Sequence, residues 1–307
     1  MRIVLLGDLH LFRLWHWPWE LFNKRIVGQM NLWMNRRHHF DMARLPGVIE
    51  KIESINPDML LCSGDLTTTA HRAEFRMVTR KLGPLFEKYP TFISPGNHDR
   101  YTFASHRGRH MEKLLGDLTS EQWPHHRRIS EHLHLIALDP TRANWLGAHG
   151  RLGKSQLAAL EALLKQMGDD DRVIVLCHYT LGALPGALRP EAAGHAMTDA
   201  AELVQMLRRP QQMLFLHGHV HEPSCWRHTA APNVVVVNAG APLMVSPRWP
   251  AGQGLWEIDT GEFGGEVLWR LVHHAPPAPG SEGEWQGDII DIPAEAGQVA
   301  AIPGRRA

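Results

Sequence analysis

Short apolar runs rich in β-branched residues and leucine recur along the chain, and most of them stop abruptly at a polar cluster. Residues 2–6 run into Gly7-Asp8-Leu9-His10, 59–62 into Ser63-Gly64-Asp65, and 91–94 into Pro95-Gly96-Asn97-His98-Asp99. Residues 173–177 are followed by His178, and 213–216 by His217-Gly218-His219-Val220-His221. Continuous apolar runs of about four to six residues, bounded by glycine or proline, predict buried strands. Helical periodicity lies between them. Residues 46–55 carry Val48, Ile49, Ile52 and Ile55 on one face, with Pro46 suited to a first helical turn. Ser155 is expected to cap a helix that gathers Leu157, Leu160, Leu163, Leu164 and Met167 and stops at Gly168, and Thr198 to cap another through Leu207. Strands alternating with helices predict an α/β fold, and sites in such sheets form beyond the carboxyl ends of strands. Every polar cluster above falls at such an end.

The later runs, 134–138, 234–237, 255–258 and 266–272, have little helix between them and predict a second sheet layered on the first. That addition makes the fold α+β in some schemes. After residue 274 the sequence turns to Ala-Pro-Pro-Ala-Pro-Gly and loses apolar periodicity. The expected organisation is therefore one domain over 1–274 and a flexible tail over 275–307, with a local strand at 289–292. The chain shows no internal repeat.

Composition narrows the function classes. The 307 residues are 44% hydrophobic and 21% charged, which allows a sizeable core. Thirty-two Lys and Arg balance 32 Asp and Glu, so the formal charge is +0. A general nucleic-acid binder needs a basic excess to displace phosphate counterions, so nucleic acid is not an expected partner. Cys62, Cys177 and Cys225 form no C-x-x-C pair and indicate no disulfide framework. The apolar run at 3–6 is too short for a signal-peptide core or a membrane span. A cytoplasmic protein is expected, and its 21 histidines and 11 tryptophans turn out to be localised.

Taken singly, a strand-end histidine is usually a hydrogen-bonding partner of backbone, and an Asp after Gly a turn former. Together, Asp8, His10, Asp65, Asn97, His98, His178, His219 and His221 form the mixed oxygen and nitrogen donor set that suits borderline divalent metals. A structural zinc site would want closely spaced cysteines, which are missing. Asp8 and His10 are expected to alternate along an extended segment and so face the same way, as are His219 and His221.

The series Asp8-Leu9-His10, Gly64-Asp65, Gly96-Asn97-His98-Asp99, His178 and Gly218-His219-Val220-His221 resembles the calcineurin-like metallophosphoesterase superfamily, with the motifs in order over residues 1 to about 245. The resemblance implies a four-layer fold, a two-sheet β-sandwich flanked by helices, with a dinuclear metal site at the strand ends. It implies that Asp8, His10, Asp65 and His221 hold one metal, and that Asp65, Asn97, His178 and His219 hold the other. Asp65 would bridge, His98 would contact the phosphate or leaving group, and Asp99 and the backbone near Gly240 would support the ligands. Two divalent ions are the implied cofactors, manganese first, with iron, zinc or nickel as the alternatives. The implied reaction is hydrolysis of a phosphodiester or pyrophosphate P–O bond by hydroxide bridging the metals. Departures narrow it further. Asp65 is followed by Leu66-Thr67-Thr68-Thr69-Ala70, not the Asp-Arg-Gly signature of protein Ser/Thr phosphatases, and the third motif ends in Asp99 rather than glutamate. The pattern looks closer to the bacterial phosphodiesterase branch, which includes cyclic-nucleotide phosphodiesterases and hydrolases of UDP-diacylglucosamine. His217 is read as a packed histidine, not a ligand.

Residues 11–40 differ from the rest. They hold Trp15, Trp17, Trp19 and Trp33, and Arg13, Lys24, Arg25, Arg36 and Arg37 against the single acid Glu20. Phe22, Ile26, Met30 and Trp33 recur at helical spacing. The plainest expectation is an insertion (about 11–42) packed on its own core; the alternatives are peripheral contact with the inner membrane face or a lipid chain, and a partner-protein surface. Trp33, Arg36 and Arg37 are the candidates for shaping substrate access. On this segment alone rests a lean toward a small phosphoester substrate that is lipid-linked, an amphiphilic diphosphate like UDP-diacylglucosamine. The alternatives are a cyclic nucleotide and, from another class, a non-catalytic metal-site scaffold. A scaffold would be expected to have lost ligands or His98, and this chain keeps them all.

Overall fold

The structure is a computed structural model that describes residues 1–13, 39–144, 147–188, 191, 194–263, 266–267, 269–277 and 283–305. In chain order its strands are β1 (Arg2–Leu6), β2 (Met59–Cys62), β3 (Thr91–Ile93), β4 (His125–Ser130), β5 (Leu133–Ala137), β6 (Arg172–Leu176) and β7 (Gln212–His217). They continue with β8 (Ser224–Arg227), β9 (Val234–Asn238), β10 (Leu255–Asp259), β11 (Glu262–Phe263), β12 (Glu266–Val267), β13 (Arg270–Ala275) and β14 (Gln286–Ile290). The described helices are α1 (Leu45–Ile55), α2 (Arg72–Lys88), α3 (Phe103–Arg107), α4 (His110–Leu115), α5 (Lys154–Leu164) and α6 (Ala200–Leu207).

One sheet runs β14-β13-β10-β1-β2-β3 and the other β4-β5-β6-β7-β9-β8; β11 and β12 pair only with each other. Strands β1, β2 and β3 are parallel, as are β5, β6, β7 and β9, while β10 pairs antiparallel with β1 and β13 antiparallel with β10. The period-two alternation of each strand builds the layers. Ile3 and Leu5 of β1 join Leu214, Leu216, Val235 and Val237 of the second sheet in the central core. Val4 and Leu6 turn the other way, onto α1, α2 and α4 through Val48, Ile52, Phe75, Val78 and Met111. On the far side, Ile174's neighbours Val173 and Val175 meet Leu157, Leu160 and Leu203 of α5 and α6. Each fully buried aliphatic side chain contributes about 1.5–3 kcal/mol, so three such cores hold the four layers together. The implied sandwich flanked by helices is therefore what forms.

Several local expectations need correction. The longest described helix, α2, does not stand out in the pattern, because Gly83 and Pro84 fall within it and charged residues are interleaved with its apolar ones. Phe75, Val78, Leu82 and Leu85 nonetheless form a buried stripe, and His71 and Glu74 close a capping box at its start. Ser155 does not cap α5: the helix begins at Lys154, and Asp199 accepts hydrogen bonds from the amides of Leu152 and Gly153 just before it. Thr198 does not cap α6 but donates to the Gly150 carbonyl. Strand β4, His-His-Arg-Arg-Ile-Ser, carries no apolar run because it is an exposed sheet edge, where charge discourages further pairing.

Part of the segment expected as a tail is built into the fold, in a strand that overlaps the one expected at 289–292. Residues 286–290 add β14 to the edge of β13, burying Ile290, while Ile289 faces solvent. The chain then crosses to the other sheet. Gly297 N–H donates to Arg227 O, Ala300 N–H donates to Cys225 O, and Val299 bridges Trp226 on the outer side of β8. The last described residues thus stitch the two sheets together along one side, and Ile302 is buried there. A proline-rich composition at 276–279 concealed this, because proline ends one strand without preventing the next.

Candidate metal centre

Beyond their carboxyl ends, β1 and β2 run on side by side: Asp8 N–H donates to Gly64 O, His10 N–H to Asp65 O and Leu11 N–H to Leu66 O. The backbone there is not extended. Asp8, His10 and Asp65 have φ of 49°, 46° and 53°, and His219 and His221 have 72° and 51°. The expected alternation along an extended segment is therefore wrong, and the side chains converge through left-handed turns instead. Each such non-glycine residue costs on the order of 1–3 kcal/mol, which surrounding structure must offset. Neighbouring glycines leave room for the convergence. A Cβ on Gly96 would overlap the Asp65 carboxylate, and one on Gly218 would overlap that of Asp8.

Two groups of donors result. Asp8, His10, Asp65 and His221 each offer an atom within 4.8 Å of the others. His10 Nε2 lies 2.9 Å from His221 Nε2 and 3.5 Å from Asp65 Oδ2, and His221 Nε2 lies 3.2 Å from Asp8 Oδ1. In the second group, His178 Nε2 and His219 Nδ1 each lie 3.0 Å from Asn97 Oδ1, and 3.3 Å from each other. His178 Nε2 is also 3.4 Å from Asp65 Oδ2. The same oxygen of Asp65 thus faces an imidazole of each group. Its other oxygen, Oδ1, accepts the His98 N–H at 2.7 Å.

The outward ring nitrogens fix the tautomers. His178 Nδ1–H donates to Ser63 O at 2.8 Å, and His219 Nε2–H donates to His195 O at 3.1 Å. In their neutral forms both rings then turn lone pairs inward, toward the oxygen of Asn97. Three acceptors meeting at 3.0–3.3 Å need a cation or a proton between them. Electrostatics agree. Burial disfavours charge on the Asp65 carboxylate, but the imidazoles of His178, His98 and His10 outweigh it and hold the group well below the usual range. Burial likewise works against charge on His178, yet Asp65 and Asp8 push it up to about 9. Carboxylate oxygen, amide oxygen and imidazole nitrogen together fit divalent cations of borderline softness.

His98 borders both groups, its ring edge-on to His10 with centroids 4.8 Å apart and stacked on Tyr101 at 5.3 Å. Its Nδ1–H donates to Thr68 O at 2.7 Å, which leaves Nε2 as the lone-pair nitrogen of the neutral ring. Asp99 is buried behind the site and accepts from the amides of Leu66, Thr67 and Gly96, tying the loops after β2 and β3 together. Burial, with Asp65 adding to it, raises Asp99 to about 6. Near Gly240, whose N–H donates to Asn238 Oδ1, Gln253 accepts from the Ala241 N–H and donates to His221 O at 2.7 Å. His217 is fully buried, edge-on to Trp226 at 5.5 Å.

Trp33, Arg36 and Arg37 lie outside the described residues, as does most of the 11–40 segment. Its ends are described, and the outgoing one reaches the site: Phe40 packs edge-on against His10 at 4.8 Å and His221 at 5.6 Å. Phe40, Gln253 and Thr68 were not foreseen. Nothing in the local pattern distinguishes them, since Thr68 acts through its carbonyl and the other two come from distant loops.

Comparison with known proteins places this arrangement. The family described as Calcineurin-like phosphoesterase matches residues 1–223. The chain is 29% identical over 181 residues to a 3',5'-cyclic adenosine monophosphate phosphodiesterase, CpdA, of Vibrio vulnificus, an alignment covering 57% of this chain and 59% of that protein. It is 25% identical over 234 residues to a probable cyclic nucleotide phosphodiesterase of Synechococcus, covering 74% of this chain and 82% of the relative. In fold it is similar to a dimetal phosphatase from Danio rerio, with a TM-score of 0.53 and 12% identity over 93% of this chain and 98% of the other.

Proposed function

This chain belongs to the calcineurin-like phosphoesterase family, and from that membership we propose that it is a dinuclear-metal phosphodiesterase whose substrate is a cyclic nucleotide. Asp8, His10, Asp65 and His221 would hold one divalent cation and Asp65, Asn97, His178 and His219 the second. The observation that carries this reading is the position of Asp65 Oδ2, 3.5 Å from His10 Nε2 and 3.4 Å from His178 Nε2. One carboxylate oxygen serves both donor groups. Bound there, two divalent cations supply positive charge to an anionic phosphorus centre and acidify coordinated water.

The chain's own groups do the rest. Four positive charges against the carboxylates of Asp8 and Asp65 leave about +2 facing a phosphodiester, which favours binding and the more negative transition state. The Thr68 carbonyl keeps a proton on His98 Nδ1, so that the imidazolium form would pass its Nε2 proton to the departing oxygen and be left as the neutral Nδ1–H ring. Asp99 fixes the loop amides from which Asp65 and Asn97 project. The curated relatives support a cyclic nucleotide over an acylated diphosphate, the lean toward the latter having rested on residues 11–40 alone. Among the described residues no helix is long and apolar enough to cross a membrane, and the three cysteines are buried thiols, which suits a reducing compartment. Manganese is the cation to try first.

A substrate panel tests the proposal. Purified protein loaded with Mn²⁺ is assayed on 3',5'-cyclic AMP, bis(p-nitrophenyl) phosphate, p-nitrophenyl phosphate and UDP-diacylglucosamine. The expected order puts the cyclic nucleotide first by at least tenfold in kcat/KM. Preference for the acylated diphosphate would overturn the substrate class, and preference for the monoester would overturn the diesterase reading.

A further inference from the structure

We infer that Glu191 is a positioning residue for the second metal position, completing a carboxylate–imidazole–metal relay through His219. The inference rests on the dinuclear reading above. His219 presents Nδ1 to Asn97 and His178, and its Nε2 faces outward. That outward nitrogen donates to the His195 carbonyl at 3.1 Å, and the carboxylate of Glu191 stands beside the same N–H with Oε1 3.2 Å away, within ion-pair distance. The pair is shielded, with side-chain exposures of 4% for His219 and 13% for Glu191, so the carboxylate acts through little intervening water.

Both acceptors come from the connection between β6 and α6, which is fastened to the metal-bearing strands. Thr180, two residues after His178, donates to Gly182 O at 3.0 Å and reaches Glu191 Oε2 at 3.4 Å. The loop at 148–150 pairs with it: Ala148 N–H donates to Gly194 O and Thr198 N–H to Gly150 O. Tyr179 closes the other side of the imidazole, its ring 4.3 Å from that of His219 and its hydroxyl donating to Ala148 O. His219 is therefore clamped, and Glu191 is the one anion on its outward nitrogen in the described structure. A carboxylate there locks the proton on Nε2, keeps the lone pair on Nδ1 and makes that nitrogen a better donor. No bond is made or broken by Glu191 itself. Its chemistry is that of orientation and polarisation, and the second cation should feel it while the first does not.

The test is a titration of metal-stripped protein with Mn²⁺, following free Mn²⁺ by electron paramagnetic resonance, alongside thermal melts of the stripped proteins. Wild type should take up two Mn²⁺. Glu191→Ala should bind one of them as wild type does and the other about 10- to 100-fold more weakly. Glu191→Gln, which keeps an acceptor without the charge, should lose less. The melting temperature of the stripped variants should stay within a degree or two of wild type. Unchanged affinity at both positions in Glu191→Ala would overturn the inference, as would equal weakening of both with a lower melting temperature, the signature of a merely structural role. Uptake of fewer than two Mn²⁺ by wild type would instead overturn the dinuclear reading, and this inference with it.

Discussion

At the scale of single residues, the proposed roles divide into groups that would gather charge and one that would move a proton. Asp65 lends one oxygen to both donor groups and anchors the other on the His98 amide. A neutral amide cannot bridge two dications as a carboxylate does, so Asp65→Asn should lose both bound metals or all activity, measured by metal content after dialysis. Retention of two tightly bound metals with full turnover would show that Asp65 does not bridge. His98 should behave differently, because its ring reaches the site from the Thr68 carbonyl instead of from a ligand position. His98→Ala is expected to keep its metal content while kcat falls by roughly 10² to 10⁴, the usual span for a general acid or base. Metal loss in that variant would move His98 among the ligands.

At the scale of elements, what supports the site comes from strands and loops far from the motifs. Gln253, just before β10, holds the His221 carbonyl, and its own carbonyl accepts from His273 Nε2 of β13 at 2.8 Å. His273 lies buried against Trp256, with centroids 5.0 Å apart. Burial lowers its pKa to about 4 against the usual 6.5, only partly opposed by the bond to Gln253. The sign follows from proton counting. Between pH 4 and 6.5 the unfolded chain binds the proton that the folded one refuses, so His273 costs stability as the pH falls through that window. Replacing it with Gln, which keeps a donor for the Gln253 carbonyl, should flatten the dependence. Chemical denaturation of wild type and His273→Gln at pH 4.5 and 7 measures it; parallel pH slopes would show that His273 is not the titrating group.

At the scale of the whole molecule, the donors arise from residue 8 to residue 221 and from both sheets. Asp8 accepts the His219 amide across the top of the sandwich, so the centre is also a clasp between β1 and β7. A cation at about 100 times its dissociation constant contributes on the order of 2.7 kcal/mol. For a domain of roughly this size each kcal/mol is worth about 2–4 °C, so chelation should lower the melting temperature by on the order of 5–10 °C per site. Scanning calorimetry before and after stripping, with Mn²⁺ added back, checks this. No change on stripping would mean that the cations do not bind between the sheets. The C-terminal segment is the second clasp, along the side of the sandwich at β14 and β8.

What the sequence determined by itself is the set of strand ends and the chemistry they carry. Buried parallel strands must be continuously apolar, and polar groups can resume only where the strand leaves the core, so Asp8, Asp65, Asn97, His178 and His219 were legible as strand-end donors. Helix α1 was legible for a similar reason, having one apolar face and a proline in its first turn. What tertiary structure decided is how those ends meet. Left-handed backbone at five donor residues depends on space beside Gly96 and Gly218, and that space exists only when two strands lie together. The pairing of Phe40 with His10, of Gln253 with His221 and of Glu191 with His219 is likewise a matter of distance through space, which no local period encodes. The closing strand β14 shows the same limit: an edge strand buries one face of alternate residues, and two adjacent isoleucines after a proline-rich stretch gain their meaning only from β13 beside them.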